Sequence, residues 1–328
     1  MGVVNKPTAT GNTCDSYFYG TININIQGGE ITNNIYGAGA GGVTGYSENS
    51  SDPYKTYGES FDTSVNINIS GGTVGGNIYG GGYGYTEYLN ANVTAVDGGS
   101  LYGDSNIVIT DSPTINGNIY AAGCGYNYSS KTELAQMTGK SNIDISGTPT
   151  LKEKIFGAGA GISGYAEMAK LTGTSNIKIA TNLNTEVYGG GNIAKTNGTT
   201  NIDIENGNYT SDIYGGGNLG VVEGTANINI NGGTSNRIFG GGNQAEVTNT
   251  VVNINGGVTS EIYAGGNSAS VNETKAYLKG GTATTIYGGS NQTGTVTISN
   301  IETTSGTAGT IYGGNNLGGS TRNSKCGY

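Results

Sequence analysis

Hydrophobic and polar residues alternate in short runs that recur along the whole chain. The runs at 22–26 and 65–69 read Ile-Asn-Ile-Asn-Ile and Val-Asn-Ile-Asn-Ile, and the run at 227–230 reads Asn-Ile-Asn-Ile. A period of two places the aliphatic side chains on one face of an extended strand and the polar side chains on the other. Each run therefore predicts a β-strand whose aliphatic face is turned toward a core.

A second pattern joins a β-branched residue, an aromatic residue and a small residue, and it occurs ten times. The aromatic positions are Tyr36, Tyr79, Tyr120, Phe156, Tyr188, Tyr214, Phe239, Tyr263, Tyr287 and Tyr312. Their spacing falls from 43 residues at the start of the chain to 24–26 in its second half. Together with a third short segment, as at 220–222 and 245–247, three strands in about 25 residues make one coil of a β-solenoid.

Stacked coils turn each position of the repeat into a column of equivalent side chains about 4.8 Å apart. Aligning the alternating runs puts Asp144, Lys178 and Asp203 in one outward column, where opposite charges are neighbours. Because each ring follows an inward β-branched residue, the aromatic column is expected to form an outer stack that serves packing. Two asparagine columns are interpreted as structural amide ladders. They contain Asn23, Asn66, Asn106, Asn142, Asn176, Asn201 and Asn227, and Asn192, Asn218, Asn243, Asn267 and Asn291.

These patterns predict an all-β fold, a single-stranded β-solenoid (parallel β-helix) of about ten coils with three short strands each. The usual hand of strand crossovers favours a right-handed coil. Residues 1–20 are interpreted as an N-terminal lead-in or cap. Residues 21–316 form the repeats, with long Tyr-rich insertions in the first four coils, and residues 317–328 are interpreted as a truncated C-terminal tail.

The insertions in the first four coils follow the Gly-rich segment after each aromatic residue, so they are expected to project from one edge of the solenoid. A Gly-Tyr pair recurs in them and gives the candidate ligand-binding residues Tyr46, Tyr85, Tyr126 and Tyr165. Tyrosine offers a flat apolar ring with a polar tip, which suits sugars and protein partners. Inserted residues on one face of a repeat array often bind. The alternative is that the loops pack on one another and that their tyrosines form a small core of their own.

Composition restricts the available chemistry. The chain has 63 glycines and 23 tyrosines in 328 residues, and it contains no His and no Trp. Without imidazole, Ser/His/Asp and Cys/His nucleophile systems and His-based zinc sites are excluded. A formal charge of −9 and the lack of a Lys/Arg cluster along the sequence argue against nucleic acid as a partner. No apolar run approaches the roughly 20 residues of a membrane span, so membrane insertion is not expected.

Catalysis, cofactors and metals are not expected either. Glycoside-cleaving sites need paired carboxylates, and no close Asp pair repeats across neighbouring coils. A polysaccharide-active enzyme is therefore only the third hypothesis for the function. The acidic residues Asp52, Asp97 and Asp104 follow no calcium-loop signature, so no metal site is predicted.

The Tyr-Gly-Gly-Gly-Asn turns at 188–192 and 214–218, which alternate with Asn-Ile-x-Ile and Gly-Gly-Thr, resemble the Gly-rich parallel β-helix repeats of large bacterial surface and adhesin-like proteins. The resemblance covers about residues 21–316 and implies an exported, non-catalytic fragment of a longer exoprotein, located outside the cell or on its surface. The expected function is adhesion or binding of a glycan, or of a host or bacterial surface protein, through the Tyr-rich edge. The alternative is a purely structural stalk or filament element.

Three cysteines, Cys14, Cys124 and Cys326, show no metal-binding or redox spacing. In an extended solenoid, Cys14 and Cys326 lie near opposite ends, much farther apart than the roughly 7 Å that a disulfide allows. All three thiols are therefore expected to be free in a monomer. Under oxidation, the two terminal cysteines are expected to permit end-to-end self-association.

Overall fold

The structure of the chain, a computed structural model, describes residues 4–5, 16–40, 43–45, 63–84, 98–125 and 134–327. These residues form β-strands, turns and bends, and no helix occurs among them. Accordingly, this described part of the chain holds no helix long and apolar enough to cross a membrane. The strands form two extended sheets and one two-stranded sheet, and nearly all pairings are parallel. The predicted all-β parallel solenoid is confirmed.

The larger sheet, called here the long-strand sheet, contains the alternating runs. Its main strands are Thr21–Ile31, Ser64–Val74, Asp104–Ile109, Met137–Ile145, Leu171–Ile179, Thr196–Ile204, Val222–Ile230, Val247–Ile254, Val271–Leu278, Thr295–Thr303 and Ser320–Gly327. Its short strands are Val4–Asn5, Ser16–Phe18, Val43–Gly45, Leu101–Tyr102, Thr114–Ile115 and Thr150–Leu151. The antiparallel pair formed by Val4–Asn5 and Ser16–Phe18 is the exception to the parallel pattern.

The second sheet, called the aromatic sheet, contains the ten aromatic positions of the repeat. Its strands are Ile35–Tyr36, Ile78–Tyr79, Ile119–Tyr120, Ile155–Phe156, Val187–Tyr188, Asn208–Tyr209, Ile213–Tyr214, Thr234–Phe239, Val258–Tyr263, Thr282–Tyr287 and Thr307–Tyr312. The two-stranded sheet pairs Tyr83–Gly84 with Cys124–Gly125. Numbered by these aromatic residues, the solenoid has ten coils, and coil 1 contains Tyr36.

The register agrees with the column alignment. Lys178 pairs with Asp144 on one side and with Asp203 on the other, so the three charges form one column. The segment at 220–222 differs from its expected role as a separate strand, because Val222 begins the long strand Val222–Ile230. In coils 3, 4 and 6 a separate third strand instead follows the long strand and precedes the aromatic strand along the chain. These strands are Thr114–Ile115 and Thr150–Leu151, in the long-strand sheet, and Asn208–Tyr209, in the aromatic sheet. At the C-terminal side, Ser320–Gly327 pairs in parallel with Thr295–Thr303 and so extends the long-strand sheet beyond residue 316.

The core lies between the two sheets. The aliphatic residues of the alternating runs, such as Ile67, Ile107 and Ile202, are fully buried there. The β-branched residue before each ring is buried with them in coils 1–9 and partly buried in coil 10. Inside the core, hydroxyl groups of the long strands bond to carbonyls of the aromatic sheet: Ser175 donates to Gly189 at 2.8 Å and Thr200 to Gly215 at 2.6 Å. These bonds satisfy buried carbonyl groups that would otherwise destabilise a narrow core.

Candidate functional site

The ten rings of the aromatic sheet form one continuous stack. Neighbouring ring centroids are 4.7–5.0 Å apart and the planes differ by 3–11°. The rings form a cluster separate from the aliphatic core, as expected for the opposite face of the strand. The rings point away from the aliphatic core, as expected for an outer stack. They are not exposed to solvent, however, because Tyr188 and Phe239 are completely buried.

In coils 5, 6 and 8 the tyrosine hydroxyl of the stack bonds to the residue two positions before it. Tyr188 donates to Glu186 at 3.1 Å, Tyr214 to Asp212 at 3.2 Å and Tyr263 to Glu261 at 3.0 Å. In coils 1 and 2, asparagines at this position donate to the ring hydroxyl instead. Burial, and then the neighbouring carboxylates, raise the pKa of Tyr188 and Tyr214 far above the ordinary value, so these hydroxyls remain protonated.

The residues that come directly after the Gly-rich turn differ between the two halves of the molecule. Four positions after the ring, coils 5–10 carry an amide ladder in which each side chain bonds to the next at 2.9–3.0 Å. Its members are Asn192, Asn218, Asn243, Asn267, Asn291 and Asn316. Coils 1–4, which have the insertions, carry Ala40, Tyr83, Cys124 and Ala160 there. The amide ladder therefore ends where the inserted coils begin.

The inserted loops of coils 2 and 3 leave the solenoid at the same register position. Gly84 pairs with Gly125, and these two glycines end neighbouring strands directly before Tyr85 and Tyr126 in the sequence. Both tyrosines lie outside the described residues. In coil 4 the residue equivalent to Gly84 and Gly125 is Gly161. The N–H of Ala160 donates to the carbonyl of Gly123, just as the N–H of Cys124 donates to the carbonyl of Gly82. Tyr165 is therefore four residues beyond this position.

The insertion of coil 1 leaves from a different place than the sequence predicted. Gly45 pairs with Tyr102 and Ser64 pairs with Asp104, so residues 46–62 are inserted within the run of the long-strand sheet. Tyr46, which also lies outside the described residues, does not begin at the edge that Tyr85 and Tyr126 share. The four Gly-Tyr pairs look alike in sequence, but only those of coils 2 and 3 share a register position. The stacked Tyr row itself stays a prediction.

Tyr165 is the one candidate within the described residues. Its N–H donates to the carbonyl of Ile162 at 2.9 Å, and its carbonyl accepts from Met168 at 3.1 Å, so a tight turn holds it half-buried. Met168 is fully buried, and a Cβ added at Gly125 would be 2.8 Å from the Met168 Cβ. Leu134 lies against Gly84 in the same way, at 2.6 Å. The returning segment of each loop therefore packs on the departure glycine of the coil before it.

Ion pairs surround the base of the coil 4 loop. Glu167 accepts from Lys170 at 2.8 Å and lies 3.4 Å from Lys195, which in turn is 2.7 Å from Glu223. The hydrogen bond from Lys170 is the main cause that lowers the pKa of Glu167. These pairs connect three successive coils at the edge from which the loops emerge.

Cys124 lies beside the rings at this edge, and its surroundings do not activate it. Burial raises the pKa of the thiol, against a smaller opposing effect of its hydrogen bond with Tyr79. A nucleophilic cysteine needs a lowered pKa. Cys124 and Cys326 are both free thiols, whereas Cys14 lies outside the described residues. Within the described ranges, no three metal-binding side chains come together.

Comparison with known proteins identifies no relative of this chain. No family model matches the sequence, and no curated protein and no solved structure matches it either.

Proposed function

We propose that this chain is a non-catalytic binding module of a cell-surface protein, in which a rigid solenoid presents Tyr-rich loops to a glycan or a protein partner. The observation that carries the proposal is the pairing of Gly84 with Gly125. It starts the loops containing Tyr85 and Tyr126 from adjacent strands, one strand spacing of about 4.8 Å apart. Two tyrosines that begin so close together can contact one ligand.

The base of these loops supports this function because it is firmly packed. Leu134 and Met168, at which the loops of coils 3 and 4 return, are fully buried. Ala135 and Ala169 follow them with positive φ angles of 55° and 56°, and their side chains are buried in one cluster with Ala194. A fixed base lowers the conformational entropy that a loop loses on binding. A firmly packed base would also suit loops that pack on one another as a side domain. Substitution of the loop tyrosines therefore distinguishes ligand binding from self-packing.

A purely structural stalk is the second candidate, and the continuous ring stack favours it. The stack and the amide ladders continue through coils that carry no insertion, such as those of Phe239 and Tyr263. Repeated, fully packed columns of this kind suit a rod that holds other domains at a distance.

The test is a glycan array together with pull-down of surface proteins, using the chain and the double variant Tyr85→Ala/Tyr126→Ala. We expect the variant to lose at least about tenfold in affinity for any ligand found, because stacked aromatic contacts dominate such sites. Tyr165→Ala is tested separately, because Tyr165 lies four residues beyond the point at which the loops of Tyr85 and Tyr126 leave the solenoid.

The control is Gln244→Ala/Gln292→Ala, which changes the position of Gly84 and Gly125, one residue before the tyrosines, in coils without long insertions. Equal binding by the tyrosine variant would exclude the loop site. The absence of any ligand would favour the stalk.

A further inference from the structure

A second candidate surface lies on the outward side of the long-strand sheet, away from the loops. In coils 7 and 8 this column contains Asn229 and Asn253, whose amides are bonded at 3.0 Å. The next residue of the column is Tyr277, followed by Glu302. The amide ladder is thus replaced by an aromatic ring on an otherwise polar face.

The parallel register brings lysines to this ring that are far apart in the sequence. Lys275 pairs with Asn300, and Asn300 pairs with Lys325 on the following strand. Lys279 lies over the Tyr277 ring, with Nζ 5.0 Å from the centroid. The sequence contains no basic cluster, but stacking of strands creates one here. We call Lys275, Tyr277, Lys279, Asn300, Glu302 and Lys325 the Tyr277 face.

The charge of this face is opposite to that of the chain as a whole. Lys275 is paired with Glu273 at 3.2 Å, but the Lys279 ammonium donates to the neutral amide of Asn253 at 2.8 Å. Lys325 is exposed and has no ion pair within the described part of the chain. The three lysines outnumber the two nearby carboxylates, Glu273 and Glu302, whereas the chain as a whole has a formal charge of −9. A local positive surface attracts anionic ligands.

The ring is open on one side. Because Asn253 holds the Lys279 ammonium on the coil 8 side, the other face of Tyr277 is directed toward coil 10 and the strand Ser320–Gly327. There a hollow of about 670 Å³ is lined by Lys275, Tyr277, Asn300, Glu302, Thr304 and Lys325. This volume is within the range of small-ligand sites. The hollow therefore combines an apolar ring with cations, an amide and a carboxylate.

We propose that the Tyr277 face binds an anionic oligosaccharide. A sugar ring packs on Tyr277, its acidic group pairs with Lys325 and Lys275, and Glu302 and Asn300 bond its hydroxyl groups. The carboxylate of Glu302 accepts hydrogen bonds from hydroxyls, and it repels a doubly charged phosphate more strongly than a singly charged sugar acid, which favours an acidic sugar over a phosphate. This site is separate from the Tyr-rich loops and does not depend on their function.

The test is titration calorimetry of the full chain with a hexamer of galacturonate at low salt, compared with a neutral xylose hexamer. Tyr277→Ala and Lys325→Glu are each expected to weaken binding at least tenfold, and Tyr277→Phe to keep it within about twofold. Lys178→Ala is the matched control, since Lys178 occupies the column of Tyr277 four coils earlier. Circular dichroism confirms that each variant is folded.

The site is supported if galacturonate binding is weakened in Tyr277→Ala and Lys325→Glu and is unchanged in Lys178→Ala. The proposal is overturned by equal binding of the neutral hexamer, by equal losses in Lys178→Ala, or by no binding. Tighter binding of a single-stranded oligonucleotide also overturns it, because a phosphate-linked polyanion and not an acidic sugar would then be the ligand. Neither result depends on Tyr85 or Tyr126, so this test and that of the loop site fail independently.

Discussion

Arg237 donates two hydrogen bonds to Asp212 on the preceding coil, from Nε to Oδ1 at 2.8 Å and from Nη2 to Oδ2 at 2.6 Å. Both residues stand two positions before a ring of the stack. Asp212 accepts from the hydroxyl of Tyr214, whereas Arg237 precedes Phe239, which has none. Lys154, which pairs with Glu186 at 2.6 Å, likewise precedes Phe156. Wherever this column carries a cation, the buried ring is a phenylalanine.

The first prediction is that Phe156→Tyr destabilises the protein. The new hydroxyl would be buried beside Lys154, which offers no acceptor, so the expected loss is about 1–3 kcal/mol in the free energy of unfolding. Adding Lys154→Asn recreates the Asn77–Tyr79 combination of coil 2, in which the asparagine amide bonds to the ring hydroxyl at 2.9 Å, and is expected to recover at least half of the loss. Denaturant unfolding of the two single variants and the double variant measures this coupling. Strict additivity of the two changes would contradict the explanation.

The register of this solenoid could be predicted from the sequence because each column repeats one residue type. Asp144, Lys178 and Asp203 were aligned on the last aliphatic residue of each run, and they are neighbours in the sheet. Burial of the rings could not be predicted in this way. It depends on the Gly-rich turn, which brings residues such as Asn316 back to the stack, where its amide donates to the Tyr263 hydroxyl at 3.3 Å.

The candidate site was harder to predict, because identical short motifs leave the solenoid at different points. Gly45-Tyr46 and Gly84-Tyr85 look equivalent in sequence, but Gly45 pairs with Tyr102 in the long-strand sheet and Gly84 pairs with Gly125 at the edge. Only strand pairing distinguishes them. The same limit applies to Lys275 and Lys325, which are 50 positions apart in the chain and two strands apart in the sheet.

A second prediction concerns the longer amide ladder, from Asn23 to Asn227. Asn176 donates to Asn142 and accepts from Asn201, each at 2.8 Å. Asn176→Ala removes both bonds and is expected to cost about 1–3 kcal/mol of unfolding free energy. Asn227 ends the ladder, since its partner on the next strand is Val251, so Asn227→Ala removes one bond and is expected to cost about half as much. Equal losses of unfolding free energy in the two variants, measured by thermal or denaturant unfolding, would contradict the assignment of the loss to the amide bonds of the ladder.

A third prediction is that Cys326 reacts with iodoacetamide well before Cys124. Cys326 is exposed, whereas Cys124 is partly buried and burial raises the pKa of its thiol. Thiolate is the reactive form, so a raised pKa and restricted access both slow alkylation. Mass spectrometry of peptides after timed labelling at pH 8, in a Cys14→Ser background, measures the two rates. Denatured protein serves as the control, in which the rates are expected to converge. Faster labelling of Cys124 in the folded protein would contradict its packing beside the rings.

The last prediction is a loss of stability at alkaline pH that originates in the buried tyrosines. Burial raises the pKa of Tyr209 to about 12, and it raises the pKa values of Tyr188 and Tyr214 further. In the unfolded chain a tyrosine titrates near pH 10. The folded state therefore favours the neutral phenol, and its contribution to stability is complete below about pH 10 and decreases as the pH rises through the folded pKa.

Denaturant midpoints measured from pH 8 to pH 12 are expected to be level up to about pH 9.5 and then to fall. The tyrosinate absorbance of the buried rings is expected to appear only as the chain unfolds, after that of exposed tyrosines such as Tyr312. Tyr209→Phe isolates one group. The Tyr209 hydroxyl donates to the carbonyl of Ile179 at 3.1 Å, so the variant is expected to be less stable at pH 8 but to lose less stability between pH 10 and 12. If the variant and the parent chain lost stability in parallel over that interval, the alkaline transition would have to originate in lysines such as Lys195, whose pKa is raised mainly by its hydrogen bond with Glu223.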